Sequence, residues 1–162
     1  MAQQFDVKSQ HMNASGVAVP YRTRLKGAVI SPDTGASGQT AFYDTAYVAA
    51  TYTRTLTTVT VTTVEPHNLF TNQWVYLDFT SGGAADGLYE ITVTGNNTFT
   101  VTTVASGSIS TSNVNLYGNV LCLIDTSSQT AVNVVVPDQG ILARDGIAVL
   151  LPANIKTTLF YG

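Results

Sequence analysis

The chain has 162 residues; only 10% are charged, and the formal net charge is −3. That slightly acidic balance argues against general nucleic-acid binding, in which cationic side chains must neutralise phosphates. No apolar run approaches the roughly 20 residues of a membrane-crossing helix, and a single cysteine, Cys122, excludes an intrachain disulfide or a cysteine-rich metal site.

Val, Ile, Leu, Tyr and Phe alternate with Thr over run after run, most clearly from Thr57 to Val64 and from Thr98 to Val104. This pattern fits pleated, half-buried surface. The spacing predicts strands over Phe5 to Met12, Val17 to Val19, Arg22 to Ile30 and Thr40 to Asp44. Then come Thr55 to Val64, Trp74 to Phe79, Leu88 to Val93 and Thr98 to Val104. The last group is Asn113 to Tyr117, Asn119 to Asp125, Ala131 to Val136, Ile141 to Ala143, Ile147 to Leu151 and Ile155 to Tyr161. Turn signals rich in Gly, Asn, Asp and Pro separate them, among them Ser31 to Gly35, Gly95 to Asn97 and Pro137 to Gly140. No segment has helical periodicity, and the good helix formers are sparse. The fold class expected is all-β.

The middle of the chain differs from its ends. From Arg54 to Asn115 the strands are regular, Thr-rich and joined by short turns, whereas the flanks carry most of the basic residues. We therefore expect residues 54–115 to form a small antiparallel β module, inserted into a loop of an outer domain made of residues 1–53 and 116–162. Such insertions are cheap in loop entropy. The outer halves together would make a β-sandwich, jelly-roll-like, since neither could bury its apolar faces alone. Within the module, Val75, Leu77 and Phe79 share a face, as do Tyr89, Ile91 and Val93, and Phe99 and Val101; together they supply a core.

Little here points to catalysis. A nucleophilic triad needs Ser or Cys with His and a carboxylate, yet there are two histidines, His11 and His67, and no nucleophile elbow. Asp78, Asp86 and Glu90 are near in sequence but sit beside Gly-rich turns, where acids form turns. No phosphate loop, dinucleotide fingerprint or calcium loop occurs, so the chain reads as non-enzymatic, with no cofactor. His67, between Pro66 and Asn68, reads as a hydrogen-bonding loop residue rather than a metal ligand. Cys122, in the run Val120 to Ile124, reads as a small buried hydrophobe. The N-terminal segment has no basic stretch followed by an apolar one, so a cytosolic origin is expected.

The charge feature with content is the set Arg22, Arg24 and Lys26, at every second position, which a strand would project to one side; Lys8 is a fourth cation nearby in sequence. Phe160 and Tyr161 end a strand and need docking, in their own sheet or on a neighbour.

His67 to Leu69, Trp74 to Phe79, Asp86 to Ile91 and Asn97 to Val101 together resemble a β module that recurs in tailed-bacteriophage virion proteins. Asn72 and Gln73 stand where that pattern usually has a Gly-Asp pair. Arg22 to Gly27, Gly140 to Gly146 and Thr158 to Gly162 resemble small phage virion structural proteins. The resemblance implies a virion component, assembled in the host cytoplasm, that decorates or cements the capsid. Its partners would be the major capsid protein and its own copies, with a trimer the expected assembly and neither membrane nor direct nucleic-acid contact. Lys8, Arg22, Arg24, Lys26, Phe160 and Tyr161 are then the candidate shell contacts. A tail or tail-fibre component is the alternative within the virion. A carbohydrate-binding module, with Trp74, Tyr76 and Tyr89 stacking on sugars, is the alternative of another class.

Overall fold

The computed structural model describes residues 6–127 and 130–162. Among the described residues there are sixteen strands and no helix. In chain order they are β1 (Lys8–Met12), β2 (Gly16–Val19), β3 (Thr23–Pro32), β4 (Gly38–Asp44), β5 (Val48–Thr55), β6 (Thr58–Thr63), β7 (Trp74–Asp78) and β8 (Gly87–Glu90). There follow β9 (Thr92–Val93), β10 (Thr98–Thr102), β11 (Ile109–Tyr117), β12 (Val120–Thr126), β13 (Val132–Val135), β14 (Ile141–Ala143), β15 (Ile147–Leu150) and β16 (Ile155–Tyr161). The protein is all-β. Phe5, expected to open the first strand, lies outside the described residues.

The chain divides into two units, Met1–Ala46 with Val120–Gly162 and Tyr47–Asn119. In the first, one sheet has the order β1-β16-β3-β13, with β14 also on β3, and the other has the order β12-β4-β15-β2. Successive strands cross from sheet to sheet except at two places. β4 and β12 pair with each other in one sheet, and β13 and β14 share one flank of β3. That is the jelly-roll arrangement, two antiparallel sheets closed face to face by a double Greek key. Its core is Val19, Leu25, Ile30, Phe42, Ile147, Val149, Ile155 and Leu159, all at 2% exposure or less. Each such side chain contributes roughly 1.5–3 kcal/mol by leaving water. Cys122 is half-buried and packs against this core.

In the second unit one seven-stranded antiparallel sheet runs β8-β7-β11-β5-β6-β10-β9. Its two edge strands, β8 and β9, are consecutive in the chain and separated only by Ile91. The Ile91 N–H donates to the Gln73 carbonyl at 3.0 Å, and its carbonyl accepts from Asn72 N–H at 2.8 Å. The sheet therefore curls into a nearly closed barrel, with Ile91 at the seam, and closure hides the edges that would otherwise invite pairing. Inside are Tyr52, Val59, Val61, Val75, Leu77, Phe99, Val101, Val114 and Leu116. The expected faces of β7, β8 and β10 do meet in this one cluster. At one end of the barrel the Tyr52 hydroxyl donates to the Ser81 carbonyl at 2.6 Å. Gly82 (φ +81) lies against that hydroxyl, and a Cβ there would collide with it and with Ser112. Outside, the register lines up Thr51, Thr62 and Thr98, then Thr53, Thr60 and Thr100, then Thr55, Thr58 and Thr102.

Three sequence expectations change. β5 was not foreseen; it pairs with β6 and β11, so the barrel's strands reach outside 54–115 on both sides. The run from Thr55 is a hairpin rather than one strand, turning at Leu56 with φ 57. Leu88 to Val93 is broken at Ile91, because the seam of the barrel needs its backbone for β7's lead-in rather than for a ladder. The turn before β7 puts Asn72 at φ 70, a left-handed position that Asn adopts more readily than most residues with a side chain.

Candidate functional site

β3 sets the site. Thr23 and Leu25 point into the sandwich, so Arg24 and Lys26 fall on the opposite face and Arg22 on the bend just before the strand. Between Phe160 and Tyr161 the pairing of β16 with β3 slips by one residue; Phe160 stands opposite Gly27 and Tyr161 opposite Leu25. On its other side Tyr161 faces Lys8 of β1. The same end of the sheet thus gathers residues from three strands.

The result is an open groove of about 370 Å³ lined by Lys8, Tyr21, Arg22, Arg24, Leu142 and Tyr161, with Asp6 also at its wall. Lys8, Arg22 and Arg24 share its wall with Asp6 and Gly162. The Tyr21 and Tyr161 rings meet edge to face, with centroids 6.5 Å apart. The Tyr161 phenol is held above its ordinary range, first by a side-chain hydrogen bond with Tyr21 and then by burial. Four expected contact residues therefore converge: Lys8, Arg22, Arg24 and Tyr161. Tyr21 and Leu142 were missed. Tyr21 adjoins Arg22 in sequence, but Leu142 arrives only through the pairing of β14 with Arg24.

Lys26 and Phe160 do not line the groove. The Lys26 amine donates to the Gln139 carbonyl at 2.8 Å, and Arg24 Nη1 donates to the Gly140 carbonyl at 3.3 Å. Both cap the turn Pro137 to Gly140, whose Gly140 (φ +77) sits against the Leu25 carbonyl where a Cβ would not fit. Arg24 is thus braced through one nitrogen while its side chain still walls the groove. Phe160 is half-buried on the outer face of its sheet.

In the barrel, His67 is committed to hydrogen bonding. Its Nδ1 accepts the Leu69 N–H at 3.0 Å, so Nε2 carries the proton and donates to the Gly95 carbonyl at 3.1 Å. Trp74 and Tyr76 lie on the outer face of β7, Trp74 at 39% exposure. Tyr89, by contrast, packs against the barrel core, and burial raises its phenol above the ordinary range, with Asp86 adding to it. Burial likewise pushes the Cys122 thiol up. Among the described residues no group of three or more His, Cys, Asp or Glu could hold a metal ion. No protein-family model matches this chain, and neither a curated protein nor a solved structure matches it.

Proposed function

We propose that the chain is a non-enzymatic bacteriophage virion structural protein that binds and stabilises the capsid shell as a decoration or cement protein. The observation that carries this reading is the convergence of Lys8, Arg22 and Arg24 with two tyrosines in one groove on a jelly-roll sandwich. Guanidinium groups present planar forks of donors matched to carboxylates, and the flanking rings offer area at low entropic cost. An acidic surface of the major capsid protein fits that groove. The resemblance of both chain segments to phage virion proteins supports the same setting. Binding assembled shell better than free subunits stabilises the shell by mass action. A trimer on local three-fold positions would present three grooves at once and multiply the effect.

The test uses purified shells that lack this protein. The wild-type chain should co-sediment with them and raise their melting temperature. A Lys8→Gln, Arg22→Gln, Arg24→Gln variant, shown to be folded, should bind at least tenfold more weakly. Equal binding by the variant would remove the groove from the account. Association with tails rather than shells would replace it with the tail-component reading.

A further inference from the structure

We infer that the barrel carries a binding site for neutral carbohydrate on the outer face of β7, separate from the groove and independent of the shell proposal. Trp74 is the only tryptophan in the chain, and it is left 39% exposed on that face. It walls an open cleft of about 450 Å³ whose other lining residues include Asn72, Leu88, Glu90, Thr92 and Thr102. Glu90 stands directly opposite Trp74 in register. The cleft therefore sets one broad aromatic surface beside a carboxylate, an amide and two hydroxyls.

The aromatic surface continues away from the cleft. Tyr76 follows Trp74 on the same face, about 7 Å along the strand. Its ring lies 5.8 Å from that of Tyr117 on β11, which lies 5.5 Å from that of Tyr47, itself 56% exposed. Beside this strip, the Asn115 amide donates to the Asp78 carboxylate at 3.0 Å.

A sugar ring has an apolar C–H face and a rim of hydroxyls. Aromatic planes cover the first, and fixed carboxylates and amides accept from and donate to the second. Single-stranded nucleic acid also stacks on aromatic rings, but it requires a cationic groove. Here the flanking charges are Glu90 and Asp78, which repel phosphates and acidic sugars. The ligand class selected is a neutral oligosaccharide long enough to reach from Trp74 towards Tyr117. Sequence alone groups Trp74, Tyr76 and Tyr89; in the fold Tyr89 packs against the core while still bordering the cleft, and Tyr117 and Tyr47 join the strip.

Because Trp74 is the sole tryptophan, intrinsic fluorescence reports this site. The full chain is titrated with soluble neutral oligosaccharides (gluco-, xylo-, manno- and N-acetylglucosamine series), and with heparin and poly-dT as anionic controls. The expected result is a saturable change in Trp74 emission with at least one neutral series, tighter for longer oligomers. Calorimetry should confirm it and show at least tenfold weaker binding in Trp74→Ala and Glu90→Gln, with unchanged melting temperatures. Trp74→Phe, which keeps a ring, should retain part of the affinity if Trp74→Ala proves unstable. Silence from every neutral series, a response to the anionic polymers alone, or full binding by the folded Trp74→Ala or Glu90→Gln variant overturns the inference.

Discussion

The Asp44 carboxylate accepts the backbone N–H of Arg144 at 2.7 Å, joining positions 100 residues apart. It also takes the N–H groups of Asp145 at 3.1 Å and Ala46 at 3.2 Å, and it is 1% exposed. One buried side chain thus satisfies three donors at the end of β4, just before the chain enters the barrel. Removing it leaves those donors without a partner, at a cost of about 3 kcal/mol or more. Asp44→Ala should lower unfolding free energy by that order, and Asp44→Asn, whose amide oxygen still accepts, by less. Denaturant unfolding measures both; a loss under about 0.5 kcal/mol for the alanine variant would contradict the assignment.

Thr40 makes the opposite case. Its hydroxyl is fully buried and has no hydrogen-bond partner among the described residues. Replacing an unsatisfied hydroxyl by a methyl of similar shape removes a desolvation cost. Thr40→Val should therefore be neutral or stabilising by about 1 kcal/mol, read as a higher denaturant midpoint. A clear loss of stability would reveal a partner for the hydroxyl.

His67 holds the loop before β7 onto the turn before β10 by accepting at Nδ1 and donating at Nε2, with its ring edge to face against Phe99 at 5.5 Å. Long-range nitrogen–proton NMR should show Nδ1 unprotonated and Nε2 protonated in the folded protein. His67→Ala should destabilise the barrel by about 2 kcal/mol through lost hydrogen bonds and packing. The opposite tautomer in the spectrum would refute the local geometry.

The phenols give a pH dependence of known sign. Tyr89 and Tyr117 are raised above the ordinary value of 10.0, in both mainly by burial. A folded value above the unfolded one means that the stability from these groups is complete below about pH 10 and is lost as pH climbs through the folded values. Absorbance titration near the phenolate band should show a fraction of the tyrosines ionising late in the native protein and normally after denaturation. Uniform titration at the ordinary value in the native state would be inconsistent with their burial.

Much of the fold could be read from alternation. The runs holding Val59, Val61, Phe99 and Val101 have the period of a half-buried strand, and they form β6 and β10 with those residues inside. β5 escaped notice because its inward residues, Ala50, Tyr52 and Arg54, are not a uniform apolar set, and the turn at Leu56 carries no Gly. The break at Ile91 has no local cause at all; it follows from closing a barrel. The groove was legible in part: the two-residue spacing puts Arg24 on the outer face of β3, whereas Arg22 reaches it from the bend before the strand. Lys26 shares the spacing, but the Pro137 to Gly140 turn captures its amine, a long-range pairing that one segment cannot reveal. Leu142 and Tyr117 join their sites only through partners far away in sequence.

The claim that the chain is a shell-binding virion protein is tested most directly by counting its copies on purified phage particles with isotope-labelled peptide standards. Symmetry on an icosahedral shell predicts on the order of hundreds of copies per particle, in fixed ratio to the major capsid protein. A chain absent from the particles, or present only in a small multiple of the tail symmetry, would contradict it.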